Sequence, residues 1–100
     1  MKLGILVNTD RHLTAVTGLT RAALAKGHEV VIFTMDDGTK LFGNSAYAAL
    51  CTLEGVTMSF CDLSTKTLGV DAKGLPEEIV CGSQYNNASM VHDADKVIVL

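Results

Sequence analysis

The sequence predicts one three-layer α/β/α domain around a parallel sheet of about five strands, and three observations predict it. Leu3–Val7 is an unbroken apolar run of strand length, as expected for a strand covered on both faces. The first thirty-odd residues then read strand, helix, glycine, strand, which is a βαβ unit and implies a right-handed parallel crossover. Finally, 100 residues with 48% hydrophobic and 19% charged side chains suit a single domain, residues 1–100, with its own core.

The elements follow in order. After Leu3–Val7, Thr9 or Asp10 is placed to cap a helix in which Leu13, Val16, Thr20, Ala23 and Leu24 share one face, and Gly27 ends it. Glu29–Thr34 is a β-branched strand. Asp36-Asp37-Gly38-Thr39 reads as a turn, and Asn44 or Ser45 as the cap of a second helix with Ala46, Leu50 and Leu53 inward, stopped by Gly55. Val56–Phe60 is a third strand, followed by a short helix from Asp62 to Leu68 closed by Gly69. Pro76-Glu77-Glu78 is a helix-start signal, but Ile79-Val80-Cys81 before Gly82-Ser83 reads as a buried strand and its turn, and the strand is preferred. Gln84–His92 is the last helix and Lys96–Leu100 the last strand.

Charge and composition exclude several functions. Eight basic and eleven acidic residues give a net charge of −3, with the signs interspersed, so no cationic face serves a phosphate backbone. Five aromatics without tryptophan make no base-stacking platform. Nucleic acid is therefore not an expected partner. The opening apolar run breaks at Asn8-Thr9-Asp10, too early for a signal peptide or a membrane span. Three cysteines without a CxxC pair speak for reduced thiols and a cytoplasmic protein rather than a disulfide scaffold or zinc site. GxGxxG and the P-loop lysine are missing, so neither a dinucleotide nor a nucleoside triphosphate has its cradle. No cofactor and no metal is expected.

In a parallel sheet, ligands bind at the carboxyl edge, where strands lead into helices. That edge collects Asn8, Asp10 and His12 after strand one, Asp37 and Gly38 after strand two, Cys61 after strand three, and Cys81, Gly82 and Ser83 after strand four. His28 and His92 fall on the opposite edge and are expected to be surface or packing residues. Cys51 belongs to the core of helix two. Cys61 is the focus: a thiol at a helix N-terminus faces free N–H groups, which favours the nucleophilic thiolate. Asp62 opposes ionisation there, and Lys66, one turn on, favours it. The plain alternative is a packed core thiol. If strands three and four are neighbours, Cys81 is a candidate second thiol for Cys61.

With Cys61 placed at the end of strand three, the chain resembles the DsrE/TusD-like (DsrE/DsrF-like) sulfur-relay family over its whole length. The resemblance rests on Lys2-Leu3-Gly4-Ile5-Leu6-Val7-Asn8, on Lys26-Gly27-His28-Glu29-Val30, and on Asp37-Gly38. It also rests on the segment from Cys61 to Gly69-Val70 and on Ala94-Asp95-Lys96-Val97-Ile98-Val99-Leu100. It implies strand order 4-3-2-1-5, assembly into a homo-oligomer (dimer, trimer or hexamer), and a sulfur-carrier or sulfurtransferase role. Cys61 matches the family's cysteine, which takes sulfane sulfur from a donor protein as a persulfide and hands it to an acceptor protein. Asp62-Leu63-Ser64-Thr65-Lys66-Thr67 departs from the small and basic residues that usually follow that cysteine.

Two other functions fit the same residues. One is a non-catalytic module binding a small ligand or partner at Asn8, Asp10, His12, Asp37 and Gly38. The other is a thiol redox protein using Cys61 with Cys81. On the sulfur-carrier reading, Lys66 and His12 are the expected electrostatic helpers of Cys61.

Overall fold

The apolar runs of the sequence become five strands of one parallel sheet: β1 Lys2–Val7, β2 Glu29–Thr34, β3 Val56–Cys61, β4 Ile79–Gly82 and β5 Lys96–Val99. The structure, a computed structural model, describes residues 1–100, and the strand order is 4-3-2-1-5. Four α-helices flank the sheet: α1 Leu13–Ala25, α2 Ser45–Ala48, α3 Asp62–Leu68 and α4 Gln84–Asp93. No helix is long and apolar enough to cross a membrane.

Side chains alternate across a strand, so the sheet sorts its residues into two layers. Leu3, Ile5, Val7, Val30, Ile32, Met58, Phe60 and Ile79 form the larger core, against Val16 of α1 and Leu41, Phe42, Tyr47 and Leu50. The ring of Phe42 stands between Tyr47 and Phe60 at centroid distances of 5.4 and 5.5 Å. Tyr47 and Thr34, both fully buried, satisfy each other's hydroxyls at 2.6 Å. The opposite face is thinner: Phe33, Cys61 and Met90 of α4 are buried there, with Leu6, Val31 and Met35 partly covered.

Local structure differs from expectation in three places. First, α1 begins at Leu13 with His12 at the N-cap, and that cap has no side-chain hydrogen bond. Thr9 is occupied elsewhere, donating its hydroxyl to the Leu100 carbonyl at 3.2 Å and tying the loop to the chain's end. Second, the Asp36 turn extends into a 3₁₀-helix over Asp36–Gly43, fastened by Thr39 Oγ1 donating to the Asp36 carbonyl at 2.8 Å. Third, α2, capped by Asn44 as expected through Ala46 N at 2.9 Å, is a single turn that buries Tyr47 and leaves Ala46 exposed. The helix then tightens into a 3₁₀ turn over Ala49–Thr52, leaving Leu53 extended. The strand preferred at Ile79–Cys81 forms. Pro76 starts only a turn, in which Ile79 N donates to the Pro76 carbonyl at 3.0 Å.

Candidate functional site

At the carboxyl edge the register pairs Phe60 with Cys81 and Cys61 with Gly82. Paired residues share a face and successive residues alternate. Cys61 therefore points to the α4 side of the sheet, and Cys81 points with Phe60 to the other side. This speaks against the alternative of a thiol redox protein in which Cys81 is the second thiol for Cys61. The strands carrying them are neighbours, but the pleat puts their sulfurs on opposite faces, and all three cysteines are free.

Cys61 is the N-cap residue of α3, in extended conformation, and only 5% exposed. Burial alone pushes a thiol's pKa up, since the anion loses its solvent. Donors overcome it here: the Ser64 hydroxyl and N–H, the Gln84 amide and the Leu63 N–H all face the sulfur, and the Cys61 thiol lies below its ordinary value. The Ser64 hydroxyl is itself held, accepting from Asp36 N at 2.9 Å. Asp36 sits at φ 48°, the one non-glycine residue with a positive φ. Ser64 thus connects Asp36, just past the end of β2, with the surroundings of the Cys61 sulfur. Gln84 Nε2 also reaches Met35 Sδ at 3.6 Å, so Gln84 and Met35 close over Cys61 from the solvent side.

The helpers expected for Cys61 lie elsewhere. Lys66 Nζ binds Asp62 Oδ2 at 2.8 Å, one turn along α3. Asp62 follows Cys61 in the chain and falls on the Phe60 side, where its carboxylate pairs with Lys66 and shares a cavity wall with Cys81. Lys66 holds the Asp62 carboxyl below its usual range. Burial and Asp62 together push Cys81 up, while Lys66 pulls it down. The acid beside Cys61 in sequence therefore acts on Cys81 and is absent from the groups that tune Cys61. His12 is exposed at the start of α1 and takes no part either.

Of the remaining predicted residues, Asn8 and Asp37 do meet. With Asp36, Leu63, Ser64, Thr67 and Leu68 they line a groove of about 480 Å³ beside α3. Asp10 is exposed and outside it. Gly38 is buried, and its role is steric: a Cβ there would run into the Val7 carbonyl oxygen and lie 2.9 Å from its carbon. Gly82 likewise makes room for the Asn86 side chain, which accepts from Ser83 N at 3.0 Å. Ser83 completes that capping box, its hydroxyl accepting from Tyr85 N at 3.2 Å. Gly82 and Ser83 thus aim α4 and its first residue, Gln84, at Cys61.

Ser64 and Gln84 were not among the residues expected from sequence. Ser64 stands three residues after the N-cap, the spacing at which a side chain reaches back to it, so that signal was present. Gln84 had none, because only the β3–β4 register brings it over Cys61.

A model of the DsrE/DsrF-like family matches residues 1–100. The chain belongs to the DsrE/DsrF-like family. This family is linked in general with sulfur relay. The crystal structure of the ychN protein from E. coli is similar with a TM-score of 0.72 at 16% identity, covering 99% of this chain and 97% of that one. MTH1491 from Methanobacterium thermoautotrophicum, described as a protein of unknown function, is similar with a TM-score of 0.77 at 14% identity. That match covers 99% of this chain and 98% of the other. At these identities the two structures support the fold alone. No curated protein matches the sequence.

Proposed function

We propose that this DsrE/DsrF-like protein is a sulfur carrier whose Cys61 bears the persulfide. The observation that carries the reading is the donor set around a buried sulfur. Ser64, Leu63 and Gln84 lower the Cys61 thiol against the opposing effect of burial. A packed core cysteine has no use for such donors, whereas a sulfur nucleophile works as the thiolate. Cys51 makes the contrast, since burial and Glu78 push its thiol up.

In the carrier step, Cys61 thiolate attacks the outer sulfur of a donor persulfide, forming Cys61–S–SH and releasing the donor thiolate. An acceptor thiolate then attacks the outer sulfur of Cys61–S–SH, regenerating Cys61 thiolate. Both are exchanges at sulfur and need no cofactor. The partners are a donor protein and an acceptor protein, in a reducing, cytoplasmic setting. The small and partly covered α4 face, with Val80, Val97 and Val99 exposed beside it, suits association of this chain with itself as a homo-oligomer.

The test is the pH dependence of iodoacetamide alkylation at each cysteine of the native protein, read by peptide mass spectrometry. Cys61 is expected to titrate below the ordinary thiol value of about 8.5. If it titrates at or above that value, the reading fails. A second function, a ligand-binding module without sulfur chemistry, is favoured by the groove at Asn8 and Asp37. Its mark is a thermal shift by a small ligand that is retained in Cys61→Ser.

A further inference from the structure

On the face of the sheet opposite Cys61, a cavity of about 480 Å³ opens between α3, the segment from Gly69 to Lys73 and the edge strand β4. Its size is that of a pocket for a small organic ligand. Phe60, Val70 and Ala72 give it an apolar wall, and Cys81 stands at its side. Three polar groups border it together: the Cys81 thiol, the Asp62 carboxylate and the Lys66 ammonium, the last two paired at 2.8 Å. Lys73 also lines the cavity and its ammonium makes no ion pair; Asp71, which lines it too, accepts from the Lys73 backbone N at 2.9 Å. Cys81 is exposed, whereas Cys51 and Cys61 are buried.

We propose that this cavity is a second, separate thiol site, where Cys81 exchanges with small disulfides that carry an apolar body and a carboxylate. The apolar body lies against Phe60, Val70 and Ala72, and the carboxylate pairs with the Lys73 ammonium. Cys81 thiolate attacks one sulfur of the disulfide RS–SR; the S–S bond breaks, Cys81–S–SR forms, and RS⁻ leaves. The proton given up by the thiol goes to solvent and then to the leaving thiolate, and the disulfide is the only oxidant. Asp62 restrains the reaction by keeping Cys81 protonated, opposed by Lys66; Asp71 and Lys73 are the other charged groups at the cavity. The two thiols thereby divide the work: Cys61 is the better ionised and enclosed, Cys81 the more protonated and open.

The experiment compares two probes on the intact protein: dithiobis(nitrobenzoate), which is anionic, and dithiodipyridine, which is uncharged. Rates at each cysteine are read by peptide mass spectrometry and normalised to a free cysteine derivative. Cys81 is expected to be modified first by both, and equally fast in Cys61→Ser, which separates this site from the sulfur-carrier reading. Lys73→Ser is expected to lower the anionic rate about threefold relative to the neutral one, the scale of one exposed charge pair. Asp62→Asn is expected to raise both rates at neutral pH. Modification of Cys61 or Cys51 ahead of Cys81 overturns the proposal. So does a rate ratio indifferent to Lys73→Ser in a protein that remains folded by circular dichroism.

Discussion

Ser64→Ala is the most informative single change, because one hydroxyl serves both the fold and the sulfur. In the native protein that hydroxyl accepts from Asp36 N at 2.9 Å and donates toward Cys61. Ser64 is 8% exposed, so water does not replace it freely. Alanine leaves the Asp36 N–H without its partner, at a cost of about 1–3 kcal/mol for an unsatisfied, partly buried donor. In a domain of this size that corresponds to a fall in Tm of about 5–20 °C. The same change removes one of the donors that oppose burial at Cys61, so its thiol rises. Urea unfolding measures the first effect, and pH-resolved alkylation of Cys61 the second. A variant with wild-type stability and a wild-type Cys61 profile refutes the Asp36–Ser64–Cys61 connection. Lost stability with an unmoved Cys61 profile refutes its link to the sulfur.

Three further outcomes are expected. Gly38→Ala drives a methyl into the Val7 carbonyl on a central strand, and urea unfolding is expected to show a loss of about 1–3 kcal/mol, as for other overpacked sites; an unchanged midpoint contradicts it. Gln84→Ala removes both a donor to Cys61 and the contact to Met35. Its Cys61 alkylation profile is therefore expected to move to higher pH, while the fully ionised rate with bulky maleimides rises; a lower rate at high pH shows that Gln84 does not cover the sulfur. Burial, then Glu78, raises the Cys51 thiol, so the folded state holds that proton more tightly than the unfolded chain. Its contribution is complete below the unfolded thiol value and is lost as pH rises through the folded one. The stability gap between wild type and Cys51→Ala is expected to narrow over that alkaline window in denaturant titrations; a widening gap has the sign wrong.

The sheet was legible because its signals are local. Continuous apolar runs such as Val30–Phe33 admit little but buried strands, and Gly69, at φ 69°, ends α3 where the pattern breaks. Cys61 at the strand-to-helix junction was legible for the same reason. What surrounds it was less so. The sequence neighbours Asp62 and Lys66 suggested the electrostatics of Cys61, but Asp62, the first residue of α3, turns to the Phe60 side, where it lines a cavity together with Lys66 and Cys81. Neighbours across a strand-to-helix junction need not share a face of the sheet. Gln84 arrives from another element through the β3–β4 register, and register is set by tertiary packing that no single segment contains. The start of α1 was misplaced because the hydroxyl that would cap it, at Thr9, bonds to Leu100 at the other end of the chain.

The central claim is that Cys61 carries sulfur. The direct measurement incubates wild type, Cys61→Ser and Cys81→Ser with a low-molecular-weight persulfide donor, traps the products with an alkylating agent, and locates the added sulfur by peptide mass spectrometry. One extra sulfur atom is expected on Cys61 in wild type and in Cys81→Ser, and none at position 61 in Cys61→Ser. Added sulfur found only on Cys81, or on no cysteine while the donor is demonstrably active, contradicts it.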